Sequence, residues 1–183
     1  SIHGGITMAV SINGTTNVIT PTSAVQPTGS ILQVVSTVKT DTFSESVNSG
    51  NFSGVITGLT AVITPSATSS KILIQYAVAV SKNGIYMVLD KGGSTLTAST
   101  GAAASNRTRL TMAIQPSDND YMTNLAGHFV DSPSSTSALT YGIRLRHSSG
   151  SAQSIYVNRS HNDTDDAVIG RGASVITAME IAG

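Results

Sequence analysis

Apolar and polar residues alternate with period two along most of the chain beyond residue 30, the spacing at which a strand turns one face to a core and the other to water. In Ala138 to His147, Leu139, Tyr141, Ile143 and Leu145 alternate with Thr140, Gly142, Arg144 and Arg146. Leu110, Met112 and Ile114 share one side of Arg107 to Ile114, and Ile85, Met87 and Leu89 are in phase within Gly84 to Asp90. Two runs are apolar on both sides. In Lys71 to Val80, Ile72, Ile74, Tyr76, Val78 and Val80 occupy one face, while Leu73, Ala77 and Ala79 make the other apolar too. In Ala173 to Ile181, Val175, Met179 and Ile181 oppose Ile176 and Ala178. Strands of that kind are covered on both faces.

Turn sequences separate these runs at the intervals of antiparallel sheets: Thr64-Pro65-Ser66, Lys82-Asn83-Gly84, Gly92-Gly93, Gln115 to Asp120, Ser132 to Ser135 and Ser148 to Ser151. Adding Ile31 to Thr40, Val55 to Ile63, Leu125 to Asp131 and Ile155 to Asn158 gives eight or nine strands. The fold class this implies is all-β, an antiparallel two-sheet β-sandwich of jelly-roll type, with a simple meander as the alternative. Residues 31–183 form that sandwich domain.

Residues 1–30 read differently. They are rich in Gly, Thr, Asn and Pro, with scattered Ile and Val and no sustained alternation, so they are expected to form an extended N-terminal arm or stalk. Its apolar side chains need partner chains to cover them, which points to an oligomer. The interface candidates are Ile12, Val18, Ile19 and Val25 in the arm, with Ile176 and Ala178 in the last strand. That strand is expected to lie inside a sheet and close to an oligomer axis, with Glu180 turned away from Met179 and tolerant of Gln unless it pairs with an arginine such as Arg171.

Charge narrows the function classes. Lys+Arg and Asp+Glu number 10 each in 183 residues, so the net charge is zero, and charged residues make up only 11%. Nucleic-acid binding needs an excess of Lys and Arg, and a polybasic membrane anchor needs a cluster of them. Neither is present. The 27 Ser and 23 Thr supply polarity in place of charge. With no Cys, disulfides, thiolate metal sites and thiol nucleophiles are excluded. No apolar run approaches the ~20 residues of a membrane span, and no secretory signal pattern opens the sequence.

Catalytic signatures are missing. The sequence holds no G-x-S-x-G elbow, no Walker loop and no H-E-x-x-H, and Gly170-Arg171-Gly172 lacks the third glycine of a dinucleotide fingerprint. Most Asp residues, among them Asp118, Asp120, Asp131, Asp163, Asp165 and Asp166, fall in or beside turns, where carboxylates are solvated rather than tuned for glycoside hydrolysis. His161 to Asp166 is the densest polar cluster, but one loop without the Gly and distal Glu of an EF-hand supplies too few oxygens for Ca²⁺. It reads as an acidic turn balanced by Arg159 or Arg171. His128 has no second His two residues away and reads as an ordinary strand histidine. Arg144 and Arg146, on a wet strand face, read as solvated surface or a subunit contact. Five N-x-[ST] sequons, at Asn13, Asn51, Asn106, Asn158 and Asn162, exceed chance only slightly in so hydroxyl-rich a chain. No catalytic, cofactor-binding or metal residue is assigned, and an aromatic share of 4% with no Trp disfavours a stacking lectin site.

Several segments carry a family resemblance. Met8 to Thr15, then Ile19-Thr20 and Ser23-Ala24-Val25-Gln26, resemble the start of tail-fibre and appendage proteins of marine tailed phages, including cyanophage-like ones. Gly29 to Val35 with Lys39 to Ser44 is similar to their first strand. Ile63 to Ser66, Ser69 to Ile74, Phe129 to Pro133, and Gly170-Arg171-Gly172 with Ile176-Thr177 and Met179-Glu180-Ile181 fit the same group. The likeness implies a non-enzymatic structural protein located on the virion, a homotrimer with a β-sandwich head on a narrow stalk, acting as a tail or head fibre. Its implied partners are other virion proteins, met through the arm, and a host receptor or glycan, with no nucleic acid, membrane or cofactor. The alternatives are a capsid decoration protein, or a secreted C1q-like or carbohydrate-binding module.

Overall fold

The structure is a computed structural model that describes residues 10–12, 19–21, 26–81, 84–115 and 121–183. Val10–Ile12 (β1) and Ile19–Pro21 (β2) pair antiparallel with Ile12 opposite Ile19, as a two-stranded sheet of their own. Part of the expected extended arm thus pairs with itself.

The remaining strands are Ile31–Lys39 (β3), Phe43–Val47 (β4), Ala61–Ile63 (β5), Lys71–Ser81 (β6), Ile85–Lys91 (β7), Ser94–Thr95 (β8), Met112–Ile114 (β9), Met122–Asp131 (β10), Leu139–His147 (β11), Gln153–Val157 (β12) and Ser174–Ile181 (β13). Among the described residues the only helical element is a 3₁₀ turn at Thr97–Ser99, and no helix is long and apolar enough to cross a membrane. The first large sheet has the order β3-β13-β6-β12-β4, with β10 on β6, and the second has β5-β11-β7-β8, with β9 on β7. Among the described residues every ladder of these two sheets is antiparallel. From β3 to β13 the chain crosses between the two large sheets at six of its ten steps, the alternation expected of a jelly-roll-type sandwich. The all-β two-sheet sandwich expected from periodicity is the observed fold.

The core lies between the sheets. Ile72, Ile74, Val78, Val80, Leu125 and Ile176 project from one side, and Ile63, Ile85, Met87, Leu89, Ile143 and Leu145 from the other, all essentially inaccessible. Tyr141 fills the same layer. The sandwich is sealed by Ile56 and Leu59, which belong to no regular strand.

Two sequence-derived strands are revised and one strand is added. Val55 to Ile63 does run along β11, with Ile56 N–H donating to Ile143 O, but the chain breaks at Gly58, whose φ of +77° ends regular pairing before Ala61. Only Met112–Ile114 of Arg107 to Ile114 is strand. Phe43–Val47 is a strand that alternation does not announce, because Glu45 sits between its two apolar residues on one face.

Candidate functional site

The interface candidates of the last strand are located first. Ile176 and Ala178 are both 0% exposed and belong to the core cluster. They are core residues of this chain and present nothing to a partner. The reason is parity: β13 does lie inside the sheet, between β3 and β6, and of its two apolar faces the one carrying Ile176 and Ala178 turns inward. The opposite face, with Val175, Thr177 and Met179, turns out. Of the arm candidates, Ile12 and Ile19 are described only as opposed backbone positions, and Val18 and Val25 lie outside the described residues.

Cross-strand register lines up the outward residues of β3, β13, β6 and β10 into rows. One row is Val34, Met179, Leu73 and Val130. The next is Ser36, Thr177, Gln75 and His128, with Ser36 and Thr177 hydroxyls 2.8 Å apart. The third is Val38, Val175, Ala77 and Ala126. Val34 and Val38 are 55% and 60% exposed, and Val130 is 43% exposed. None of the rows contains Asp, Glu, Lys or Arg. The result is an open face with two apolar stripes and an uncharged polar stripe between them. Sequence patterning located the doubly apolar strands but missed which of their faces stays open.

The second sheet is finished differently. Its outward positions Val88 and Asp90 are buried, and Val55 lies over Gly142 so closely that a Cβ there would fall 2.5 Å from Val55 Cγ1. Arg144 donates from Nε to Ser53 O and stands 4.0 Å from Asp90. Arg146 lies over both the Phe52 and Tyr86 rings and donates to Gly50 O and Thr108 Oγ1. Both arginines read in the sequence as surface or contact residues are thus committed within the chain.

Buried polar groups hold the open face in register. Glu180 is 1% exposed, and its Oε1 accepts from Ser66 N–H, Ser66 Oγ and Ser70 Oγ at 2.6 to 2.7 Å, while Oε2 accepts from Gln33 Nε2 at 2.6 Å. Burial works to push this carboxyl up, but the hydrogen bonds outweigh it and hold the group down at about 2. The expectation that only an arginine partner would constrain Glu180 is revised: no arginine is among these partners, and hydrogen-bond donors from two segments, β3 and the loop between β5 and β6, close around it. Asn158, fully buried at φ +61°, donates to the Lys39 and Asp41 carbonyls and accepts from Ser174 Oγ at 2.6 Å. Between the sheets, Asp131 Oδ2 accepts from Tyr141 Oη at 2.7 Å and Lys91 Nζ at 2.8 Å. Burial first, then Asp131, raises the Tyr141 phenol far above its ordinary range.

In the acidic loop, Asp163 is held by two arginines. Asp163 is bridged by Arg171 at 2.8 Å and Arg159 at 3.3 Å, so its carboxylate meets guanidinium on both sides. Among the described residues no cluster of three or more His, Asp or Glu is placed to hold a metal. His128 lies exposed at the end of the polar row.

No family model and no curated protein matches the sequence. Among solved structures, the chain is similar to a chain of T=1 particles derived from infectious bursal virus, at 12% identity and a TM-score of 0.40 over 95% of this chain and 40% of that one. It is also similar to a chain of the infectious bursal disease virus Gt strain, at 13% identity and a TM-score of 0.39 over 95% and 41%. The VP2 subviral particle of infectious bursal disease virus gives 13% identity and a TM-score of 0.36 over 95% and 42%. The chain spans about two fifths of the length of each of these relatives in shape.

Proposed function

We propose that this chain is a non-enzymatic structural protein on the surface of a virus particle, a homotrimeric tail or head fibre of a tailed phage attached through residues 1–30. The observation that carries the self-assembling part of this reading is the open outer face of the β3-β13-β6-β10 sheet, where three adjacent rows carry no Asp, Glu, Lys or Arg. Apolar rows left open on a sheet face, rimmed by polar residues, support a contact with another chain. The tail-fibre-like segments from Met8 to Ile181 support the phage setting. The commitment of Glu180, Asp131 and Asp163 to structural partners supports the absence of catalysis, since a general acid or base needs a free carboxyl facing substrate.

Gold-labelled antibody against the purified chain, applied to purified phage particles in the electron microscope, tests the location. The reading expects label on fibres of the tail or head. Label spread evenly over the shell moves the assignment to capsid decoration, and unlabelled particles overturn the virion assignment.

A further inference from the structure

We propose that the open sheet face binds the same face of a second copy of this chain about a two-fold axis lying along the Ser36-Thr177-Gln75-His128 row. The inference rests on the self-assembly reading above: it gives this face a two-fold partner and leaves the three-fold contact to residues outside these rows. The argument is the symmetry of the stripes. A two-fold along the central polar row lays polar on polar and places each apolar row over the other. Met179 then meets Val175 of the second copy, and Leu73 meets Ala77, so every apolar pair combines a residue from the bulkier row with one from the smaller row. The spacing stays even, as face-to-face sheets ~10 Å apart require. A two-fold along the strands also matches polarity, but it stacks bulky on bulky at one end and small on small at the other, leaving a wedge. With no Asp, Glu, Lys or Arg in the rows, no like charges are brought together.

Strand and residue spacings give the three rows an area on the order of 400 Å² per copy. Two copies bury roughly 800 Å² in total, below the ~1,200 Å² of a stable free-standing complex. The contact therefore joins subunits that a stronger interface already holds, one trimer to its neighbour, and gains its strength from multiplicity.

The chain has no Cys, so a single introduced one reports the geometry. Thr177→Cys lies on the axis and faces its own copy. With a short bismaleimide, which spans the ~10 Å between facing sheets that a direct disulfide cannot, full-length Thr177→Cys is expected to run on a denaturing gel as a dimer of twice 18.7 kDa. Thr140→Cys, exposed on the second sheet, serves as control and is expected to link about tenfold less. Adding Met179→Asp to Thr177→Cys should abolish the dimer, with the β signal in circular dichroism verifying that the double variant folds. Linking no better than Thr140→Cys, or linking that survives Met179→Asp, overturns the two-fold. Light scattering on the same unlinked samples separates the two ideas: a trimer mass without the cross-link removes only this inference, and a monomer mass removes the self-assembly reading.

Discussion

Met179 and Glu180 are neighbours in β13 with opposite fates: Met179 stands in the open apolar row between Val34 and Leu73, while Glu180 is 1% exposed with both carboxylate oxygens accepting hydrogen bonds. Their alternation separates assembly from folding within two residues. Met179→Asp should change the melting free energy of the isolated chain by less than about 1 kcal/mol, because its side chain is only half-buried. Its effect belongs to assembly. Chemical denaturation beside light scattering checks this, and a large loss of folding stability would place Met179 in the core instead.

Glu180→Gln removes the charge from a site built of donors and forces an amide NH₂ against the Ser66 N–H or the Gln33 amide. A cost of about 1–3 kcal/mol is expected, the usual size for a spoiled charged hydrogen-bond set. Urea unfolding at pH 7 measures it; an unchanged midpoint would show that the clamp is not structural.

The same group sets an acid dependence. Its folded pKa, about 2, lies below the ordinary 4.5, so protons bind the unfolded chain more readily and the carboxylate's contribution is complete above pH 4.5. That contribution falls as pH drops from 4.5 towards 2. Wild type should therefore lose stability over this window more steeply than Glu180→Gln, which has no proton to take up there. Parallel slopes for the two proteins would contradict the assignment.

Tyr141→Phe deletes one donor to Asp131 but leaves Lys91 in place, and should cost about 0.5–1.5 kcal/mol, whereas Asp131→Ala strands the Tyr141 hydroxyl and the Lys91 ammonium and should cost about 3 kcal/mol. Ultraviolet titration gives an independent reading: the Tyr141 phenolate should not form before alkaline unfolding.

Much of the sandwich was legible because burial writes itself as period-two alternation, as in Leu139 to Leu145, whose odd positions turned out to line the core. The boundaries were less legible. Val55 to Ile63 carries a strand's residues, yet Gly58 breaks it, and Phe43–Val47 hides behind Glu45. The open face was half legible: alternation showed that β6 and β13 are apolar on both sides, but not which side the second sheet would cover. Ile176 and Ala178 were assigned to an interface for that reason. The clamp at Glu180 was not legible at all, since its donors Gln33, Ser66 and Ser70 lie more than 100 residues away along the chain and only the register of β3, β6 and β13 brings them together.

Self-assembly is the central claim, and the mass of the full-length chain in solution tests it most directly. Sedimentation equilibrium across micromolar concentrations should return three times 18.7 kDa or a multiple of that value. A single species of 18.7 kDa over the whole range would contradict the account, because the apolar rows of β3, β13, β6 and β10 would then face water in a stable monomer.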